Sequence, residues 1–118
     1  MDKETLTKKA KTDPIIQHFL MELSPIRPFL KEIILFGSRA RGQEIPSSDY
    51  DILLVVDEKK HKQQVKNIAH EAAANIEITK KVDISLKIFP YDHYEKLSEY
   101  GTPFIRNVQK EGIRLNDL

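Results

Sequence analysis

Apolar and polar positions follow two rhythms along this chain. Ile15, Ile16, Phe19, Leu20 and Leu23 recur at the spacing of one helix face. Asp13-Pro14 just ahead supplies a capping side chain and then proline at the first helical position. Pro25 and Pro28 interrupt, so residues 24–31 are a turn or a short second helix. Glu32 to Phe36 (EIILF) is a short β-branched apolar strand, ended by Gly37. Residues 38–48 (SRARGQEIPSS) read as a loop, or one helical turn and then a loop. Asp51 to Val56 (DILLVV) is a second strand. Across residues 59–79, Val65, Ile68, Ala69, Ala72 and Ile76 form one stripe, which predicts an amphipathic helix packed on the sheet. Val82 to Phe89 alternates: Val82, Ile84, Leu86 and Ile88 face one side, Asp83, Ser85 and Lys87 the other. Residues 91–111 hold two short helical patterns broken at Gly101-Thr102-Pro103, and the tail adds an edge strand or packs as coil.

The order helix, strand, turn, strand, helix, strand, helix, helix predicts an α/β (α+β) fold. It is a small mixed sheet of three or more strands, with helices packed mainly on one face. Residues 1–12 are polar and lysine-rich and read as a flexible amino-terminal segment, loose or a frayed helix, leaving 13–118 as a single domain. At 118 residues the chain suits one domain. Lys and Arg number 19 against 18 Asp and Glu, which argues against a protein that grips duplex DNA by phosphate neutralisation; no sequence-specific DNA binding is expected. The absence of cysteine excludes disulfides, thiolate catalysis and cysteine-based zinc sites. No apolar run approaches the roughly 18 residues that span a bilayer, and the start MDKETLTKKAKTDP has no apolar core of a secretory signal. The expectation is a cytoplasmic protein with no membrane partner.

The chemistry concentrates in residues 35–57, LFGSRARGQEIPSSDYDILLVVD. Asp49 and Asp51 lie two apart at a strand entrance, so both carboxylates point to one face, about 7 Å apart along the backbone. Oxygen donors so placed suit one or two hard cations such as Mg²⁺. Asp83, on the polar face of the third strand, joins them if that strand pairs beside residues 51–56. Three close carboxylates repel, and cations resolve the conflict. Two ions about 4 Å apart can stabilise both the attacking and the leaving oxygen of a phosphoryl or nucleotidyl transfer. Gly37-Ser38 sits where strand becomes turn: glycine permits close backbone approach, the following amides favour an anion, and Ser38 adds a hydroxyl. Arg39 and Arg41 add cationic forks suited to phosphate oxygens, and Ser48 caps locally or touches phosphate.

Gly37-Ser38, a spacer, then Asp49-Tyr50-Asp51 resembles the signature of the DNA polymerase β-like nucleotidyltransferase superfamily. The fuller string GSRARG…SSDYD with its apolar strand, Asp83 in KVDISL, and the ending TPFIRNVQKEGIRL are similar to its minimal nucleotidyltransferase branch, over roughly residues 14–115. The resemblance implies a polymerase β-like fold and ATP as substrate. Gly37 and Ser38 would bind the triphosphate, Asp49 and Asp51 would ligate Mg²⁺, and Asp83 would ligate the metal or assist deprotonation of the attacking hydroxyl. Arg39 and Arg41 would be secondary candidates for stabilising the leaving charge. Tyr50 departs from the aliphatic residue commoner there; it points away from the aspartates, so little effect on chemistry is expected.

Minimal members resemble one half of a two-protein toxin–antitoxin system whose other half is a HEPN-domain toxin, often a ribonuclease. The implied activity is transfer of AMP from ATP to a tyrosine of that toxin. No Arg here is followed four to six residues later by His, so the chain does not carry the ribonuclease spacing itself. Larger relatives carry further acceptor-binding domains, so the acceptor site is expected from the partner or from a second copy in a homodimer. A non-catalytic antitoxin that neutralises by contact, and transfer to a small-molecule or RNA hydroxyl, are the competing expectations. His18, His61, His70 and His93 are scattered, Lys59 to Lys62 read as a solvated face, and Tyr91, Tyr94 and Tyr100 as packing or interface residues.

Overall fold

The computed structural model describes residues 2–117. Among them α1 spans Lys3–Thr12 and α2 Pro14–Glu22, followed by a 3₁₀ turn, Ser24–Phe29. Strand β1 (Leu30–Phe36), the single helical turn α3 (Ser38–Arg41) and β2 (Tyr50–Val56) come next. A 3₁₀ turn (Lys59–His61) leads into α4 (Lys62–Lys80), then β3 (Ile84–Pro90), α5 (Tyr91–Tyr100), α6 (Pro103–Glu111) and the short β4 (Ile113–Arg114). The strands form one mixed sheet in the order β3-β2-β1-β4. β1 runs antiparallel to β2 and β4, and β2 is parallel to β3 through the α4 crossover.

The two periodicities give each face of this sheet its own partners. Ile33, Leu35, Ile52, Leu54, Val56 and Ile84 bury against Ile16, Phe19, Leu20, Val65, Ala69 and Ile76 of α2 and α4, which is the main core. The opposite parity, Ile34, Leu53 and Val55, meets Tyr94, Ile105 and Val108 of α5 and α6 in a smaller cluster. The main helical cover is therefore on one face, and α5 and α6 form a smaller cluster on the second. Asp51, Leu53 and Val55 share that second face, so the strand that carries the aspartates is apolar along its length on both sides. Completely burying one side chain such as Leu53 stabilises the fold by about 1.5–3 kcal/mol.

The amino-terminal segment departs from the expected loose or frayed stretch. It is helix α1, capped by the Asp2 side chain accepting from the Thr5 amide. Leu6 and Ala10, four apart on one face, are buried in the main core. Lys3 Nζ donates to the Gly112 carbonyl at 2.6 Å, and Lys9 pairs with Glu44 in the loop before β2. Only two of its ten residues are buried, so lysine-rich composition hid a packing stripe one turn long. Other boundaries shift by a turn or less: β1 begins at Leu30, α4 at Lys62 after the 3₁₀ turn, and β3 at Ile84. The tail takes the edge-strand option as β4. No described helix is long and apolar enough to cross a membrane.

Candidate active site

The site forms where β1 ends and β2 begins. The antiparallel register sets Phe36 opposite Asp51, so Gly37 follows directly beside the aspartate strand. Gly37 has φ +76° and ψ −161°, a region essentially reserved for glycine. Its missing side chain matters: a Cβ built there would lie 2.2 Å from Asp51 Oδ2 and 3.1 Å from its Cγ. The Asp51 carboxylate thus rests on the bare Cα of Gly37, and the two halves of the sequence signature touch. Ser38 opens α3, with the amides of Ala40 and Arg41 turned back to the Gly37 carbonyl at 3.0 and 3.2 Å. A cleft of about 190 Å³ opens beside this turn between Phe36, Gly37, Arg41 and the α6 residues Phe104, Asn107 and Glu111.

Burial first, and the charge of Asp49 second, hold the Asp51 carboxyl above its ordinary value; Arg41 and Lys87 pull the other way. A pair of like charges with two flanking cations is an environment in which a bound cation relieves repulsion. The donor set is carboxylate oxygen only, which fits a hard divalent ion. Lys87, which its parity on β3 places on the face of Asp83 and Ser85, is a site neighbour that the motif alone does not single out.

Asp83 stands immediately before β3. Parallel pairing begins at Tyr50 with Ile84 and continues at Asp51 with Ser85, so the condition set from sequence, β3 beside β2, is met. The backbone around Asp83 is pinned: Tyr50 N donates to its carbonyl at 2.9 Å, and Ile84 N donates to Glu77 Oε2 at 3.2 Å. The three aspartates are nevertheless not gathered. Among the described residues, the group of three potential metal donors lying within 4.8 Å of one another is Asp57, Glu58 and His61. That trio is at the far end of β2 and builds the turn into α4. Asp57 Oδ1 accepts from the Glu58 amide at 2.6 Å and meets His61 Nδ1 at 2.8 Å, while the His61 ring stacks on Phe29 at 4.2 Å.

Three further candidates have partners of their own. Arg39 is held against the loop before β2: Nε donates to the Ser48 carbonyl at 3.0 Å, Nη2 to the Pro46 carbonyl at 3.4 Å, and the guanidinium lies 4.0 Å over the Tyr50 ring. A cation–π face and two loop carbonyls hold it in place. Arg41 stays by the cleft, its Nε on Gln43 Oε1 at 3.0 Å and Nη1 on Glu111 Oε2 at 3.3 Å. Ser48 takes the local option, its Oγ accepting from the Ile45 amide at 2.9 Å.

Comparison with known proteins identifies the family. Residues 16–115 match the nucleotidyltransferase domain. The chain is 33% identical over 91 residues to the putative protein adenylyltransferase MJ0141 of Methanocaldococcus jannaschii, covering 74% of this chain and 92% of that protein. It is 42% identical over 40 residues to the protein adenylyltransferase MntA of Aphanizomenon flos-aquae, 34% of this chain and 27% of that one. A crystal structure of a toxin–antitoxin with AMP-PNP shares the fold at TM-score 0.53 and 20% identity, covering 84% of this chain and 70% of that chain. With the Gly37–Asp51 contact, the polymerase β-like sheet and a match over most of its length, the chain belongs to the nucleotidyltransferase domain family and is a nucleotidyltransferase.

Proposed function

We propose that the chain transfers AMP from ATP to a hydroxyl of a partner protein, a tyrosine of a HEPN-type toxin, and so acts as an antitoxin. The observation that carries the reading is the Asp51 carboxylate seated on Gly37, which joins an anion-tolerant turn to a cation-seeking pair. The names of the relatives, protein adenylyltransferases, support protein as the acceptor class. The shared fold with a toxin–antitoxin structure supports the toxin as partner.

In the proposed mechanism Gly37 and Ser38 orient the triphosphate, and Arg41 steadies its outer phosphates from the cleft. Asp49 and Asp51 would hold Mg²⁺, which when bound neutralises triphosphate charge and aligns it. The acceptor oxygen attacks the α-phosphorus in line. The new O–P bond forms as the bond to the bridging oxygen breaks, and pyrophosphate departs with that electron pair. The acceptor proton passes to a base, for which exposed Asp83, just ahead of the neighbouring strand, is the candidate. Arg39 is assigned no contact with phosphate, because its donors serve the loop.

Purified HEPN-type partner, labelled ATP and Mg²⁺ test the proposal. Label should appear on the partner and vanish with Asp49→Asn. Neutralisation that survives both Asp49→Asn and Asp51→Asn without label would replace it with neutralisation by contact. Label on RNA or a small molecule in place of protein would move the acceptor class.

A further inference from the structure

We propose that Tyr50, the residue between the two aspartates, is a positioning residue that holds Asp49 and Asp51 in place from the opposite face of the sheet. The inference rests on the assignment of those aspartates as cation ligands made above.

Alternation along β2 sends the Tyr50 side chain to the face away from its neighbours, where it is buried in the main core. There the side chain meets Asp13 and Arg39. Its hydroxyl donates to Asp13 Oδ2 at 2.7 Å. The other oxygen of Asp13 accepts from the Ile15 and Ile16 amides at 2.8 and 3.4 Å, so the phenol is tied to the first turn of α2. Its ring carries the Arg39 guanidinium, which in turn grips the Pro46 and Ser48 carbonyls of the loop that delivers Asp49. Its backbone amide donates to the Asp83 carbonyl. The first turn of α2 and, through Arg39, the loop ahead of Asp49 are thereby referenced to one side chain, while the backbone of the same residue pairs with Asp83.

A purely structural tyrosine would affect stability alone. A positioning tyrosine sets how well the carboxylates converge, so its loss should appear in cation affinity. Supporting partners behind metal ligands typically change metal affinity or activity by about 10-fold or more when removed. Tyr50→Phe keeps the ring and deletes only the hydrogen bond to Asp13. The expected result is a rise of about 10-fold in the Mg²⁺ concentration giving half-maximal transfer, with the ATP KM within about twofold of wild type. Raising Mg²⁺ should recover much of the lost rate. Arg39→Ala, which removes the clip on the loop, should move the same constant in the same direction. Binding of Mn²⁺ with a non-transferable ATP analogue, followed by calorimetry, gives an activity-independent readout, and near-UV circular dichroism confirms folding.

A folded Tyr50→Phe protein with wild-type Mg²⁺ dependence and Mn²⁺ affinity overturns the positioning role while leaving the aspartate site intact. If Tyr50→Phe does not fold, Arg39→Ala decides by the same criterion. A wild-type protein that takes up the nucleotide analogue equally with and without divalent cation instead overturns the cation-ligand assignment beneath it.

Discussion

Gly37→Ala tests the geometry on which the site depends. Two costs can be read from the structure. The backbone at φ +76°, ψ −161° belongs to a region that side-chain-bearing residues reach at about 1–3 kcal/mol. The added methyl would also stand 2.2 Å from Asp51 Oδ2, which forces the carboxylate off its seat. Overpacking of this kind costs about 1–3 kcal/mol. The sum is about 2–6 kcal/mol, a large share of the 5–15 or so kcal/mol that holds a domain together. With a urea slope of about 1–3 kcal/mol per molar, a loss of ~3 kcal/mol lowers the unfolding midpoint by about 1–3 M. Equilibrium urea unfolding by circular dichroism measures it. Adding Asp51→Ala to the same chain should restore the steric share and leave the backbone share. Where the single variant still folds, Mg²⁺-dependent nucleotide uptake should be lost, because Asp51 has moved. A variant with the wild-type midpoint and undiminished uptake would refute both the contact and its importance.

Three other outcomes follow from named contacts. Asp51 titrates above 3.8 in the metal-free fold, so the folded state binds its proton more tightly than the unfolded chain. Stability therefore falls as pH rises from 3.8 through the raised value and carries the whole penalty at neutral pH. Asp51→Asn should raise the thermal midpoint in EDTA at pH 7, with the gain fading below pH 3.8, while abolishing transfer; an unchanged midpoint at pH 7 counts against the electrostatic account. Leu6→Ala should cost about 2 kcal/mol in urea titration, at the low end for a buried leucine because the site lies near the surface, and a value near zero would mean that α1 does not pack in solution. Glu111→Gln should change stability by less than about 1 kcal/mol, since its pair with Arg41 is well exposed. It should also lower the nucleotide KM by releasing Arg41, whereas Arg41→Ala should raise it; steady-state kinetics on the pair of variants separates the two.

The third strand was legible because its apolar and polar positions alternate. Val82, Ile84, Leu86 and Ile88 all reach the main core, and their opposite parity leaves Asp83, Ser85 and Lys87 on the aspartate face. What periodicity does not carry is the identity of neighbours across space. Antiparallel pairing of β1 with β2 is what sets Phe36 against Asp51 and brings Gly37 onto the carboxylate, and no local pattern states that register. The packing of helix α1 is hard to read for a related reason: two buried residues among lysines give too weak a stripe to separate from a solvated helix.

Arg39 shows where charge-based inference fails. Beside a phosphate-type turn, two arginines look equivalent, and helical geometry separates them by roughly 200° around the axis at two residues apart. One therefore faces the cleft and the other must face back across the loop. Which is which depends on a flat, buried aromatic surface being available behind the loop, and Tyr50 supplies it. Tyr50 and the arginine it holds against the loop therefore form one unit. A leucine at position 50 could neither hold the guanidinium by cation–π attraction nor reach the Asp13 carboxylate with a donor. Tyr50→Leu should accordingly free Arg39 from the loop, and the combination of Tyr50→Leu with Arg39→Ala should lose little more than Tyr50→Leu alone. Full additivity of the two losses, measured as rate and as urea midpoint, would mean that the two side chains work separately.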